Sequence, residues 1–164
     1  MKIKIWIDEA GRGPWLGPVS ACALCFNPEN MPSKEFLARI NDSKKITEKK
    51  REALYEELIA MSIWENPQVF FGVWIVDNFV IDEINIRQAN REAMRRAIVE
   101  LSRKINTDNI NSVMIDGNDN YEFEELEKKP IFVVWGDGKI VEIWAASIIT
   151  DVCKFISRYE SRKS

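Results

Sequence analysis

The sequence predicts one domain, residues 1–164, of the α/β or α+β class with a mixed sheet. Three observations predict it. Apolar segments of strand length recur along the chain, and segments with helical apolar spacing alternate with the later ones. No repeat, low-complexity tract or linker separates them. Apolar residues make up 46% of the 164, enough to bury a core, and 30% are charged with both signs mixed.

The elements follow in order. "KIKIWI" alternates, which sets Ile3, Ile5 and Ile7 on one face of a strand ending at Asp8. "VSACALCF" is the second strand. The turn-rich stretch between them is long for a tight hairpin, so the two are expected as neighbours joined by a functional loop. "SKEFLARI" is a short helix. Thr47 is placed to cap a helix over "EKKREALYEELIAM", with Leu54, Leu58 and Met61 as its apolar stripe. "VFFGVWIV" is the third strand. "INIRQANREAMRRAIVELSRKI" reads as one long helix, with Ala93, Met94, Ala97, Ile98, Leu101 and Ile105 along one side. Its arginines at 87, 91, 95, 96 and 103 fall mostly elsewhere, as a solvated face. "NSVMID" is the fourth strand, "IFVVW" the fifth, and "EIWAASIITDVCKFISRY" the closing helix.

Composition excludes several kinds of chemistry. There is no histidine, so Ser-His and Cys-His nucleophilic catalysis in their usual forms are out. Three cysteines do not make a disulfide framework. Cys22 and Cys25 have metal-site spacing, but residues three apart in a strand face opposite sides, so both are read as buried small hydrophobes. No apolar run reaches membrane-spanning length, and no cleavage-site pattern follows "MKIKIWID". A cytoplasmic protein with no membrane partner is expected. A monomer is expected too, because no heptad seam is left over.

The acids are the informative feature. Asp8 with Glu9, Asp116 and Asp137 stand at the ends of three predicted strands. If those ends share one edge, four carboxylates converge. Two unit charges about 4 Å apart repel by roughly 4 kcal/mol at a surface-like dielectric. Such a cluster wants divalent cations or must hold protons. Oxygen-only ligands favour Mg²⁺ or Mn²⁺, and two such ions make the clamp used in phosphoryl-transfer nucleases. Taken singly, an acid at a strand end is most often just a solvated turn residue. "GRGPWLG" lacks the Lys-Ser/Thr of a phosphate loop. Its glycines allow close approach of main chain to a ligand, with Arg12 held ready for a phosphate or sugar edge.

Five blocks, in order and spacing, resemble the bacterial and archaeal ribonuclease HII family: "IDEAGRGPWLGPV", "DSKKITEKKREAL", "IDEINIRQANREAM", "MIDGN" and "GDGKIVEIWAASII". The resemblance covers residues 3 to 150 or so. It implies an RNase H-like α/β fold, a central mixed five-stranded sheet flanked by helices. It implies an endonuclease that cuts the RNA strand of RNA–DNA hybrids, and that incises beside a ribonucleotide embedded in duplex DNA. Products would carry 3′-hydroxyl and 5′-phosphate ends. The family's metal-binding acids fall on Asp8, Glu9, Asp116 and Asp137, holding two Mg²⁺ or Mn²⁺ ions. Its ribose-sensing loop falls on Gly11, Arg12 and Gly13, whose backbone would read the 2′-hydroxyl. Ser43 and Lys44 look like phosphate-side contacts. Asn85 and Gln88 look like backbone contacts at a helix start, and Ser147 like a substrate or packing contact.

The chain also departs from the family. Trp135 stands before Gly136-Asp137 where a lysine is usual, Trp144 replaces a small residue, and Glu142 adds an acid. After "AASII" the family has a Lys-Val and then an Arg-Asp pair. Here Asp151 and Lys154-Phe155 take those places. The family normally continues to a "KGYG"-type segment whose tyrosine stacks at the RNA–DNA junction. Tyr159 lies too early for that tyrosine, so a short form is expected. A hybrid-binding relative with little turnover is the competing reading. Another two-metal nuclease on this fold and a nucleotide hydrolase are the remaining ones.

Overall fold

The computed structural model describes residues 1–11, 17–40, 45–117, 119–124, 126, 129–134 and 140–161, the last four as backbone. Five strands form one sheet: β1 (Ile3–Ala10), β2 (Val19–Phe26), β3 (Val69–Val76), β4 (Ile110–Asp116) and β5 (Ile131–Val133). Their order is β3-β2-β1-β4-β5. β2 runs antiparallel to both of its neighbours, whereas β1, β4 and β5 pair in parallel. The mixed sheet and the adjacency of the first two strands are as expected. The helices are α1 (Lys34–Arg39), α2 (Glu48–Ile63), α3 (Asn78–Ile84), α4 (Ile86–Ser102) and α5 (Val141–Ser161).

Alternation along the strands sorts side chains to two faces. Ile3, Ile5, Ile7, Val113 and Ile115 pack with Ala93, Met94, Ala97, Ile98 and Leu101 of α4. On the other face Cys22, Leu24 and Phe26 pack with α1, α2 and the Ala145–Ile149 stretch of α5. Cys22 and Cys25 fall in opposite clusters, so their spacing does not make a shared ligand pair. α4 lies very close to the sheet at Gly72. A Cβ there would stand 2.2 Å from the Ala97 carbonyl oxygen and 2.6 Å from the Leu101 nitrogen. The capping expectation holds: Thr47 Oγ1 accepts from the Lys50 N–H at 3.4 Å, and Ser33 caps α1 in the same way.

Three boundaries differ from the sequence reading. β1 runs past Asp8 to Ala10, because β2 keeps pairing with it: Asp8 opposite Cys22, Glu9 opposite Ala21, Ala10 opposite Ser20. β5 stops at Val133, shorter than "IFVVW". The long helix expected from Ile84 to Ile105 is α4, Ile86–Ser102, and α3 before it is a helix that the sequence reading did not place. Asn85 stands between them with φ 69° and ψ 163°, ends α3 through its N–H to the Ile81 carbonyl, and caps α4. Its Oδ1 accepts from the N–H groups of Arg87 and Gln88, both at 3.1 Å. A backbone in that region is nearly reserved for glycine and costs about 1–3 kcal/mol, which these bonds offset. No helix among the described residues is long and apolar enough to cross a membrane.

Candidate active site

Strand pairing brings the first acids together. Ile7 of β1 pairs in parallel with Ile115 of β4, so Asp8 and Asp116 are the next residues along two adjacent strands. Ile7 and Ile115 face α4. One step on, by alternation, Asp8 and Asp116 turn to the α5 face. There the Ser147 hydroxyl of α5 donates to the Asp8 carboxylate. The backbone N–H of Glu9 donates to Asp8 Oδ1 at 2.8 Å. The Glu9 Oε2 atom is out of contact with solvent.

Asp8 is held far from its ordinary state. Burial is the largest cause, and the charges of Asp116 and Glu9 add to it. The Glu9 N–H and the Ser147 hydroxyl pull the other way, and the balance raises the carboxyl from 3.8 to about 7. A carboxylate so disfavoured either holds a proton or is partnered by a cation. Burial likewise pushes the neighbouring Cys22 thiol well up, which keeps it an inert core group.

These residues open into a cleft of about 650 Å³. Asp8, Glu9, Ala10 and Gly11 form one side, α5 supplies Ser147, Asp151, Val152, Lys154 and Phe155, and α2 supplies Glu48, Arg51 and Glu52. Gly11 has φ +124°, and a Cβ on it would stand 2.8 Å from both the Pro18 carbonyl oxygen and the Lys154 Nζ. Only glycine fits there.

The sequence-predicted residues divide accordingly. Asp8, Glu9, Asp116, Gly11 and Ser147 come together. Asn85 and Gln88 lie on α4, across the sheet from α5. Gln88 lines a separate cavity of about 500 Å³ with Arg91, Arg95, Glu122 and Glu124. Arg12, Gly13, Ser43, Lys44 and Asp137 lie outside the described residues, as does Trp135. Sequence reasoning missed Asp151 and Lys154 as cleft residues. They stand four and seven positions after Ser147, the spacing of one helix face, and that spacing was the available signal.

The donors suit a hard divalent cation in kind. They are all carboxylate oxygens, and their mutual repulsion and the burial of Asp8 are what such an ion relieves. Among the described residues no group of three or more His, Cys, Asp or Glu is gathered that could hold an ion.

Comparison with known proteins agrees with the fold. The profile of the family described as Ribonuclease HII matches residues 5–162. Ribonuclease HII of Fusobacterium nucleatum subsp. nucleatum is 41% identical over 150 residues, covering 92% of this chain and 63% of that protein. Ribonuclease HII of Caldanaerobacter subterraneus subsp. tengcongensis is 38% identical over 147 residues, covering 89% and 53%. The chain therefore spans between about half and two thirds of the length of these relatives. The crystal structure of ribonuclease H2 from Pyrococcus horikoshii OT3 matches with a TM-score of 0.71 at 25% identity, covering 99% of this chain and 76% of that one. Bst-RNase HIII, solved in complex with Mn²⁺, matches with a TM-score of 0.72 at 17% identity, covering 94% and 52%, a likeness of fold alone.

Proposed function

The chain belongs to the ribonuclease HII family, and from that premise we propose that it is a metal-dependent endoribonuclease acting on the RNA strand of RNA–DNA hybrids. We propose further that it incises duplex DNA beside an embedded ribonucleotide, leaving 3′-hydroxyl and 5′-phosphate ends. The observation that carries the reading is the cleft that joins Asp8, Glu9 and Gly11, with Asp116 beside Asp8 on the adjacent strand, where burial and like charge already disfavour the ionised Asp8.

Asp8, Glu9, Asp116 and Asp137 would hold two divalent ions, Mg²⁺ or Mn²⁺. Bound there, the ions would supply Lewis acidity at the phosphate and a water acidic enough to attack it. The chain's own groups do the rest. Ser147 and the Glu9 N–H orient the Asp8 carboxylate. Gly11, with Arg12 and Gly13, presents main chain to the ribose, where a 2′-hydroxyl can be told from hydrogen. Ser43 and Lys44 take the phosphate side. Asn85 and Gln88 reach the nucleic-acid backbone from the other face, with the α4 cap holding Asn85 in place. The working unit is one RNase H-like domain over residues 1–164, acting in the cytoplasm as a monomer, which light scattering during gel filtration would check.

The test is cleavage of two labelled duplexes, one with a single embedded ribonucleotide and one a continuous hybrid, in Mg²⁺ and in Mn²⁺. Asp137→Asn serves as the control. Cutting of both, lost in the control, is the expected result. Cutting of the hybrid alone would remove the incision activity from the reading. Tight hybrid binding in Ca²⁺ with no cutting in either metal would replace the enzyme by a binding protein.

A further inference from the structure

Building on the ribonuclease reading above, we infer that Lys154 is a substrate-phosphate contact, the cation that meets the nucleic-acid backbone between the acids and the glycine turn. Lysine is almost never buried without a purpose, yet Lys154 is only 8% exposed. It lines the cleft with Asp8, Glu9 and Gly11. Its ammonium reaches the main chain of Gly11, so close that a Cβ on that residue would stand 2.8 Å from Nζ.

Helical geometry sets the placement. Lys154 stands seven residues after Ser147, two turns along the same face of α5, and Ser147 is the residue that donates to Asp8. One rigid element thus aims a hydroxyl at an acid and an ammonium at the turn beside it. Charge gives the reason. The cleft is lined by Asp8, Glu9, Glu48, Glu52 and Asp151 against only Arg51 and Lys154 among its described residues. A phosphate chain entering such a cleft is repelled except where a cation meets it. An ammonium on a flexible stem suits a backbone phosphate, since it is a point charge with three donors and no fixed fork.

The experiment measures binding of a labelled continuous RNA–DNA hybrid in Ca²⁺ between about 50 and about 200 mM salt, for the wild type, Lys154→Arg and Lys154→Gln. Wild-type cleavage in Mn²⁺ and thermal midpoints are recorded beside it. Lys154→Gln is expected to weaken binding about tenfold and to reduce the log–log salt slope by about one, the signature of one lost phosphate contact. Lys154→Arg is expected to restore both. An active wild type with an unchanged slope in Lys154→Gln overturns the role of Lys154 and leaves the ribonuclease reading standing. So does equal damage in both variants at unchanged slope, which would mark a structural lysine. Tighter binding of Mn²⁺ alone by Lys154→Gln, with hybrid binding unaltered, would make Lys154 a counter-ion to the acids instead. Failure of the wild type to cut any hybrid overturns the ribonuclease reading itself.

Discussion

Asp8 and Glu92 are two carboxylates on opposite faces of one sheet, and their surroundings drive them in opposite directions. Glu92 sits on α4 between two arginines of its own helix. Arg95 Nε meets it at 2.8 Å and Arg96 Nε at 2.6 Å, and together they pull it from 4.5 down to about 2. Asp8 has other acids as its charged neighbours and is buried as well, so it rises to about 7. The first acid is satisfied locally, by residues three and four positions away. The second is buried, and meets one unfavourable neighbour, Asp116, from a distant strand and another, Glu9, beside it in the chain. This contrast separates an acid satisfied within its own helix on the α4 face from an acid left disfavoured on the α5 face.

The sharpest way to break the contrast is to neutralise each acid. Asp8→Asn should reduce cleavage at least on the order of 10²-fold, the scale of losing one preorganised electrostatic group. Glu92→Gln should leave cleavage within about twofold. Stability should respond with the opposite sign. Asp8 binds its proton more tightly folded than unfolded, so its own contribution to metal-free stability is greatest below about pH 4, falls as pH rises to about 7, and is level above. Asp8→Asn should therefore match the wild type at pH 4 and exceed it in thermal midpoint at pH 8, and Mn²⁺ should raise the midpoint of the wild type alone. A wild-type midpoint that climbs between pH 4 and 7 while the Asn variant stays flat would refute this account of the cleft.

Gly72→Ala probes the structural face directly. The added methyl meets backbone atoms of α4, so overpacking should cost about 1–3 kcal/mol in denaturant unfolding. The folded fraction should still bind Mn²⁺ as the wild type does. Altered metal affinity would mean that the two faces are coupled through the sheet. The smallest effect belongs to Glu92→Gln. Its ion pairs lie near the surface, and such pairs contribute about 0–1 kcal/mol. That contribution is present above pH 4.5 and is lost as pH falls toward 2, so wild type and variant should converge in acid.

Much of this was legible from residue order. Alternation in "KIKIWI" placed Ile3, Ile5 and Ile7 on one face, and the apolar stripe of "REAMRRAIVEL" gave the contacts of α4. Thr47 announced its helix, because a cap is a local bond three residues long. α3 was not legible, nor was the positive φ of Asn85 that follows it, since no pattern of apolar residues records such an angle. Nor was Asn90. It occupies a position in the apolar stripe of α4 and is fully buried, yet neither its Nδ2 nor its Oδ1 has a hydrogen-bond partner. Nothing about an asparagine in a helix announces such a burial, which costs about 1–3 kcal/mol. On α5, Asp151 and Lys154 were readable as neighbours of Ser147 by helical spacing. Only packing says that this face meets the acids rather than solvent.

The sequence by itself determined which strand-forming segments lead into acids, which turn carries glycines, and that any cation there would meet oxygen ligands alone. These are properties of adjacent residues and of composition. Only the tertiary structure decided that Asp8 and Asp116 become neighbours, because a parallel register between strands far apart in the chain is a choice among pairings that local preference does not rank. It also decided that Asp8 is buried with its like charges. It set Lys154 against Gly11, a contact that arises where the residues after one strand and the last helix close on the same cleft.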